Sequence, residues 1–140
     1  WLIFCVYVGG QIWTHAFAYA AEVVLAGYSG VEGGCTVAGR STMGTDLAEL
    51  SAGLRARAPT DAALKSILDA HMRLVDSFVK AFYLTSHEEL LRWIELHSEY
   101  SRAQVTALVL SVASFRELRG RERAHLLSRV QEALLRGAGE

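Results

Sequence analysis

Residues 60–82 read TDAALKSILDAHMRLVDSFVKAF, and their spacing decides the fold class. Leu64, Ile67, Leu68, Leu74, Val75, Phe78, Val79 and Phe82 recur at the three- and four-residue steps that place side chains on one side of an α-helix. Lys65, Asp69, Arg73, Asp76 and Lys80 fill the opposite side. An amphipathic helix of this kind owes its stability to packing of the apolar stripe, so it needs partners. Thr60 is placed to cap its start, with Asp61 adding negative charge in the first turn. Just upstream, Ala58 precedes Pro59, whose ring disfavours helical geometry in the residue before it. A helix over 46–57, carrying Leu47, Leu50 and Leu54, is therefore expected to end there.

Downstream, two capping boxes mark two further helices. Ser86 with Glu89 opens the segment of Leu90, Leu91, Trp93 and Ile94; Ser101 with Gln104 opens that of Val105, Leu108, Val109, Val112 and Phe115. In each pair the hydroxyl accepts a backbone N–H three residues on, while the Glu or Gln side chain reaches back to the cap. A last amphipathic segment, Arg121 to Arg136, carries Leu126, Leu127, Val130 and Leu134 and is expected to stop at Gly137. Residues 30–45 (GVEGGCTVAGRSTMGT) are rich in Gly, Ser and Thr and read as a long loop. No segment reads as a strand with comparable clarity. The expected architecture is all-α, an antiparallel bundle of about six helices.

Residues 1–31 hold one charged residue, Glu22. Such a run raises the alternative of a membrane-anchored protein whose residues 1–29 insert in the bilayer. Gln11, His15 and Glu22 interrupt it along one helical stripe, which a lipid-facing helix would seldom carry. The expectation is instead a central bundle helix, touched on most sides. A secretory signal fits poorly, because the start has no basic residue and the apolar run exceeds the usual core.

The whole chain has 140 residues, 51% hydrophobic and 21% charged, with one proline: one globular core rather than two, in a class that proline scarcity tilts toward helix. The sequence opens on Trp1, and residues 1–140 are expected to be one helical C-terminal domain from a larger chain. A formal net charge of −1 supplies no general pull toward nucleic acid, which is not expected as a partner. Cys5 and Cys35 stand far apart without a CxxC pair, the pattern of reduced cytosolic thiols, with a structural disulfide as the alternative.

No enzyme chemistry gathers around these residues. Gly34 to Ser41 has the spacing of a phosphate-binding loop, but Arg40 replaces the lysine and no parallel sheet is available to hold it. His87 and His97 stand ten apart, not the four of a zinc-binding helix, and no metal or cofactor is expected. Between residues 116 and 136, six arginines (116, 119, 121, 123, 129 and 136) outnumber three glutamates. Arg119, Arg121 and Arg123 form a candidate partner surface, for an acidic protein or membrane phosphates, against the simpler reading of a solvated helix face.

Ala81-Phe82-Tyr83-Leu84-Thr85, Arg92-Trp93-Ile94-Glu95, His97-Ser98-Glu99-Tyr100-Ser101 and Gln104 together resemble the C-terminal domain of the syndetin family. Gly27-Tyr28-Ser29 and Cys35 to Met43 match it more loosely, so the resemblance covers about residues 20–135 and is most specific between 78 and 109. It implies a subunit of the endosome-associated recycling protein complex, a tether sharing its other subunits with the Golgi-associated retrograde complex. It further implies helical bundles, a place on the cytosolic face of recycling endosome and trans-Golgi membranes, and work done by binding partner subunits and SNAREs. Within the motif, Trp93, His97, Tyr100 and Ser101 read as structural. Trp93 is a core anchor beside Leu90 and Ile94, and Tyr100 is placed to staple onto Val105 across the Ser101 cap.

Overall fold

The computed structural model describes the backbone of residues 2–30, 35–112, 115 and 118–137, and among these the side chains of Val8 to Arg136. Six helices and no strand lie among the described residues: α1 (Leu2–Ser29), α2 (Val37–Arg57), α3 (Ala62–Ala81), α4 (His87–Leu96), α5 (Arg102–Ser111) and α6 (Gly120–Gly137). The fold is therefore all-α, as the periodicity predicts.

The amphipathic helix α3 is the centre of the packing. Leu64, Leu68, Met72, Val75, Phe78 and Val79 are buried, and α1 and α2 both lie against it. Its cap is Asp61 and not Thr60: the carboxylate accepts from the backbone N–H groups of Ala63 (2.6 Å) and Leu64 (3.2 Å). Two contacts show that α2 and α3 run antiparallel. Arg40, near the start of α2, donates to the Phe82 carbonyl beyond the end of α3 (2.9 Å), while Arg55 near its end pairs with Asp69 (2.6 Å).

The expected loop over 30–45 is corrected. Residues 31–34, including Gly34, lie outside the described residues, but α2 already begins at Val37 and runs through the Gly- and Thr-rich stretch. Thr36 caps it, its hydroxyl accepting from the Gly39 N–H (3.0 Å). Glycines 39, 44 and 53 each weaken a helix by about 1 kcal/mol against alanine. Met43 and Leu47, buried in the common core, offset that cost. At Gly39 a Cβ would stand 3.3 Å from the Thr36 hydroxyl and 3.4 Å from Cys35 Sγ, so the capping turn is tight. Cys35 is a free, buried thiol that burial pushes above its usual range, partly offset by Arg40. Its backbone N–H donates to the Ser111 carbonyl (3.2 Å), fastening the start of α2 to the end of α5. The side chain of Cys5 and all of Arg116 lie outside the described residues.

The second half of the chain is built on α4, α5 and α6. Both capping boxes are present as expected, Ser86 with Glu89 and Ser101 with Gln104. Arg129 stands 3.8 Å from Glu88 and Arg136 3.1 Å from Glu95. Equal seven-residue steps on the two helices mean that α4 and α6 run side by side in the same direction. Leu126, Val130 and Ala133 are the buried face of α6.

A second correction concerns α1, expected to be enclosed on most sides. It packs on α3 and, less, on α5 through one stripe, where Phe17, Ala21 and Leu25 are buried. Gln11, His15 and Glu22 are exposed, and so are Val8, Ile12, Tyr19 and Val23. The helix is an outer layer because only one side of it meets other helices. Among the described residues, no helix is long and apolar enough to cross a membrane.

Candidate functional site

Two constellations stand out, one holding the fold and one open to a partner. The first forms where α3, α4 and α5 meet. Tyr100 lies just before the Ser101 cap of α5, is buried, and donates its hydroxyl to the Leu74 carbonyl on α3 (2.6 Å). Its ring stacks on Trp93 (centroids 5.1 Å apart), and Trp93 stacks in turn on His97 (4.5 Å). Phe78 from α3 meets Tyr100 at 5.4 Å and Trp93 edge-on at 6.5 Å. Such ring pairs add roughly 0.5–1.5 kcal/mol each beyond the area they bury.

His97 caps the end of α4 and bridges it to α3. Its Nδ1 lies 2.8 Å from the Trp93 carbonyl, which can only accept, so Nδ1 carries a proton. In the neutral ring Nε2 then accepts from the Ser77 hydroxyl, 2.9 Å away. A hydroxyl bonded to an imidazole is also the beginning of a nucleophilic site. Ser77, however, sits inside α3, where the neighbouring N–H groups are consumed by the helix and none is left to hold an oxyanion. The contact is a joint between helices. Burial pushes the Tyr100 phenol up to about 12, countered in part by the nearby Ser77 hydroxyl, so the Tyr100 hydroxyl remains a donor at any ordinary pH.

The second constellation follows from the parallel run of α4 and α6. Glu88, in the first turn of α4, faces Arg129, so α6 overhangs the start of α4 by about two turns. In that corner lies an open cleft of about 440 Å³, lined by His87 at the start of α4 and by Arg121, Glu122, His125 and Arg129 of α6, with Leu118 and Leu126 at its base. Arg121, His125 and Arg129 share a face because they follow at steps of four. Glu122 within the cleft and Glu88 at its edge temper the positive charge.

The three arginines of the predicted surface therefore separate. Arg121 lines the cleft; Arg119 is exposed just before α6; Arg123 is exposed on the other side of the helix, its guanidinium 5.2 Å from the centroid of the buried Phe115 ring. His125 and Arg129 join Arg121 at steps of four along α6, and His87 joins them from α4, a meeting that no spacing within one segment announces. Arg40 was equally hidden: besides its bond to Phe82, its guanidinium lies 4.9 Å from the Tyr83 ring centroid, a pairing across more than forty residues. No group of three or more His, Cys, Asp or Glu placed to hold a metal occurs among the described residues.

A family model described as "Syndetin, C-terminal" matches residues 7–131, from α1 into α6. The chain belongs to the syndetin C-terminal family. Mouse syndetin is 30% identical over 125 residues, covering 89% of this chain and 12% of that protein. Rat syndetin is 32% identical and chicken syndetin 31% identical, each over 102 residues, which is 73% of this chain and 10% of the relative. The chain thus spans about a tenth of the length of these relatives. No solved structure matches it. The syndetin family match begins at residue 7, earlier than the motif resemblance suggests, and so takes in most of α1. It also contains Trp93, His97, Tyr100, Ser101 and all three arginines of the predicted surface.

Proposed function

We propose that residues 1–140 are the C-terminal domain of a longer vesicle-tethering subunit that acts without catalysis, by binding proteins. The family match over residues 7–131 is the observation that carries this reading. Its partners are the other subunits of the endosome-associated recycling complex and SNAREs, and its place is the cytosolic face of recycling endosome and trans-Golgi membranes. The motif resemblance implies each of these.

Two features of the molecule support a binding role. Apolar side chains remain in water along α1, and a cleft carrying Arg121, His125 and Arg129 lies between α4 and α6. Arg119, Arg121 and Arg123 with the cleft residues are the surface for an acidic partner, or for peripheral contact with membrane phosphates. The aromatic joint of Trp93, His97 and Tyr100 serves the fold that presents them.

Affinity capture of the tagged full-length protein from cells, with and without residues 1–140, tests the reading. Loss of tether subunits on deletion is expected if this domain is an assembly contact. Retained subunits with lost SNAREs would move its role to the outer face of the complex. Absence of tether subunits from the intact protein would overturn the proposal.

A further inference from the structure

The turn between α2 and α3 carries an accessible hydroxyl that the fold does not use. Residues 55–61 read RARAPTD, and Arg55, Arg57, Pro59, Thr60 and Asp61 are exposed. Thr60 stands outside both helices, because α2 ends at Arg57 and α3 is capped by the Asp61 carboxylate. Among the described residues its hydroxyl has no hydrogen-bond partner. Several other hydroxyls are committed: those of Ser86 and Ser101 cap helices, and those of Thr42, Thr45 and Thr106 donate to the carbonyl four residues back. The backbone around Thr60 is already drawn out. Pro59 disfavours helical geometry at Ala58, whose φ and ψ are −70° and 149°, and Asp61 is extended as well at −73° and 128°. A protein kinase must bring its acceptor hydroxyl in line with the γ-phosphate of ATP and against a catalytic aspartate, which an exposed, extended turn permits and a helix surface hinders.

The residues upstream select the kinase class. Arg57 and Arg55 lie three and five residues before Thr60. Side chains alternate along an extended chain, so these two fall on one side, about 7 Å apart. Two guanidiniums so placed suit two carboxylate sites, each taking a bidentate fork. That is the substrate pattern of arginine-directed serine/threonine kinases. As folded, both arginines belong to the last turn of α2 and have separate partners: Arg55 pairs with Asp69 (2.6 Å), and Arg57 donates to the Gly53 carbonyl (3.2 Å). Releasing them unwinds a single terminal turn, held by the Ala58 N–H on the Leu54 carbonyl (2.9 Å). Helix ends open at little cost, and an exposed ion pair adds little to hold them. Ser128 supplies the contrast. It too is exposed, with Arg123 five and His125 three residues before it, but it lies in the middle of α6.

We propose that Thr60 is a phosphorylation site for an arginine-directed serine/threonine kinase, recognised through Arg55 and Arg57. The Thr60 oxygen attacks the γ-phosphorus of ATP, the bond from that phosphorus to the β,γ-bridging oxygen breaks, ADP leaves, and the hydroxyl proton passes to the catalytic aspartate of the kinase. The product places about two negative charges beside the N-terminal end of α3, where the helix dipole favours them and the Asp61 carboxylate opposes them. The fold therefore tolerates the phosphate, and what changes is the charge that the α2–α3 corner presents to a partner. This assignment rests on the α2–α3 turn and is independent of the tethering role.

Incubation of the intact full-length protein with ATP, magnesium and protein kinase B, an arginine-directed kinase, followed by mass spectrometry, is the test. Phosphate is expected at Thr60 and not at Ser128, and Thr60→Ala should remove it. Arg57→Ala and Arg57→Lys should each slow the modification by at least about tenfold, since lysine keeps the charge but loses the fork. Circular dichroism of both variants should match the parent, because only the surface bond to Gly53 is lost. Casein kinase 2, which is directed by acidic residues, should leave Thr60 unmodified, a comparison that needs the parent chain alone. No phosphate at Thr60 while a control arginine-containing peptide is labelled would overturn the proposal. So would equal rates in the parent and Arg57→Ala, equal labelling by the two kinases, or modification that begins only once urea has unfolded the chain.

Discussion

Helices α1 and α3 pack on each other, yet they divide their apolar residues differently. On α3, Leu64, Leu68, Met72, Val75, Phe78 and Val79 are inside while Lys65, Arg73 and Lys80 are in water. On α1, Phe17 and Leu25 are inside, but Ile12, Tyr19 and Val23 are as exposed as the polar residues beside them. The contrast follows from how much of each helix its neighbours cover. α3 is contacted by both α1 and α2, and its sequence carries apolar residues for those neighbours and few more. α1 carries more apolar surface than α3 and α5 cover. Its surplus is the feature that calls for a partner.

The comparison breaks most visibly at Phe78. This residue is fully buried and touches Phe82, Trp93 and Tyr100 with its ring. Phe78→Ala is expected to lose about 3–5 kcal/mol, from lost burial plus the cavity left behind. That is a large part of the 5–15 kcal/mol by which a domain is typically stable, so the midpoint of urea unfolding should fall steeply. A loss below about 1 kcal/mol would mean that the α3 stripe is not the centre of the core.

Tyr100 gives an intermediate effect and a pH signature. Tyr100→Phe removes the hydroxyl donated to Leu74 and should cost about 1 kcal/mol. The phenol is held at about 12 in the folded chain against an ordinary value of 10.0. The folded state therefore binds this proton more tightly than the unfolded state does. Its contribution is complete below pH 10 and is lost as pH rises toward about 12. Stability measured across that window should decline less steeply in Tyr100→Phe than in the parent. An equal decline would show that Tyr100 ionises like an exposed tyrosine.

Much of α3 to α6 was legible in sequence because local signals and burial agree there. The capping boxes at Ser86 and Ser101 and the stripes of α3 and α6 need only neighbours a few residues away. The second half of α2 was expected over 46–57, but its start at 37–45 was hidden because Gly39 and Gly44 carry a local bias that Met43 overcomes only through distant contacts. The partners of Tyr100 and His97, on the other hand, are 26 and 20 residues away in α3, and periodicity carries no record of such pairings. The same holds for the cleft: Arg121 is visible as a charge, but its company with His87 depends on α4 and α6 running in parallel. The Asp61 cap was missed by one residue, a displacement that a side chain able to reach two N–H groups settles only in three dimensions. Asp61→Ala should cost about 1 kcal/mol, and Thr60→Ala much less, by the same urea titration.

The smallest expected effect is the one that sharpens the comparison. Ile12→Ser on α1 removes a large apolar side chain, as a core substitution would, but from a position already 62% in water. Little burial is lost and no cavity forms, so stability should change by no more than about 0.5 kcal/mol when the chain is too dilute to associate. A partner that covers Ile12 and binds only the folded state would stabilise the parent, because such binding shifts the equilibrium toward that state. The variant should lack that gain. The two unfolding curves should therefore coincide for the isolated chain and separate when a partner of this face is present, which distinguishes a residue that serves a partner from one that serves the fold.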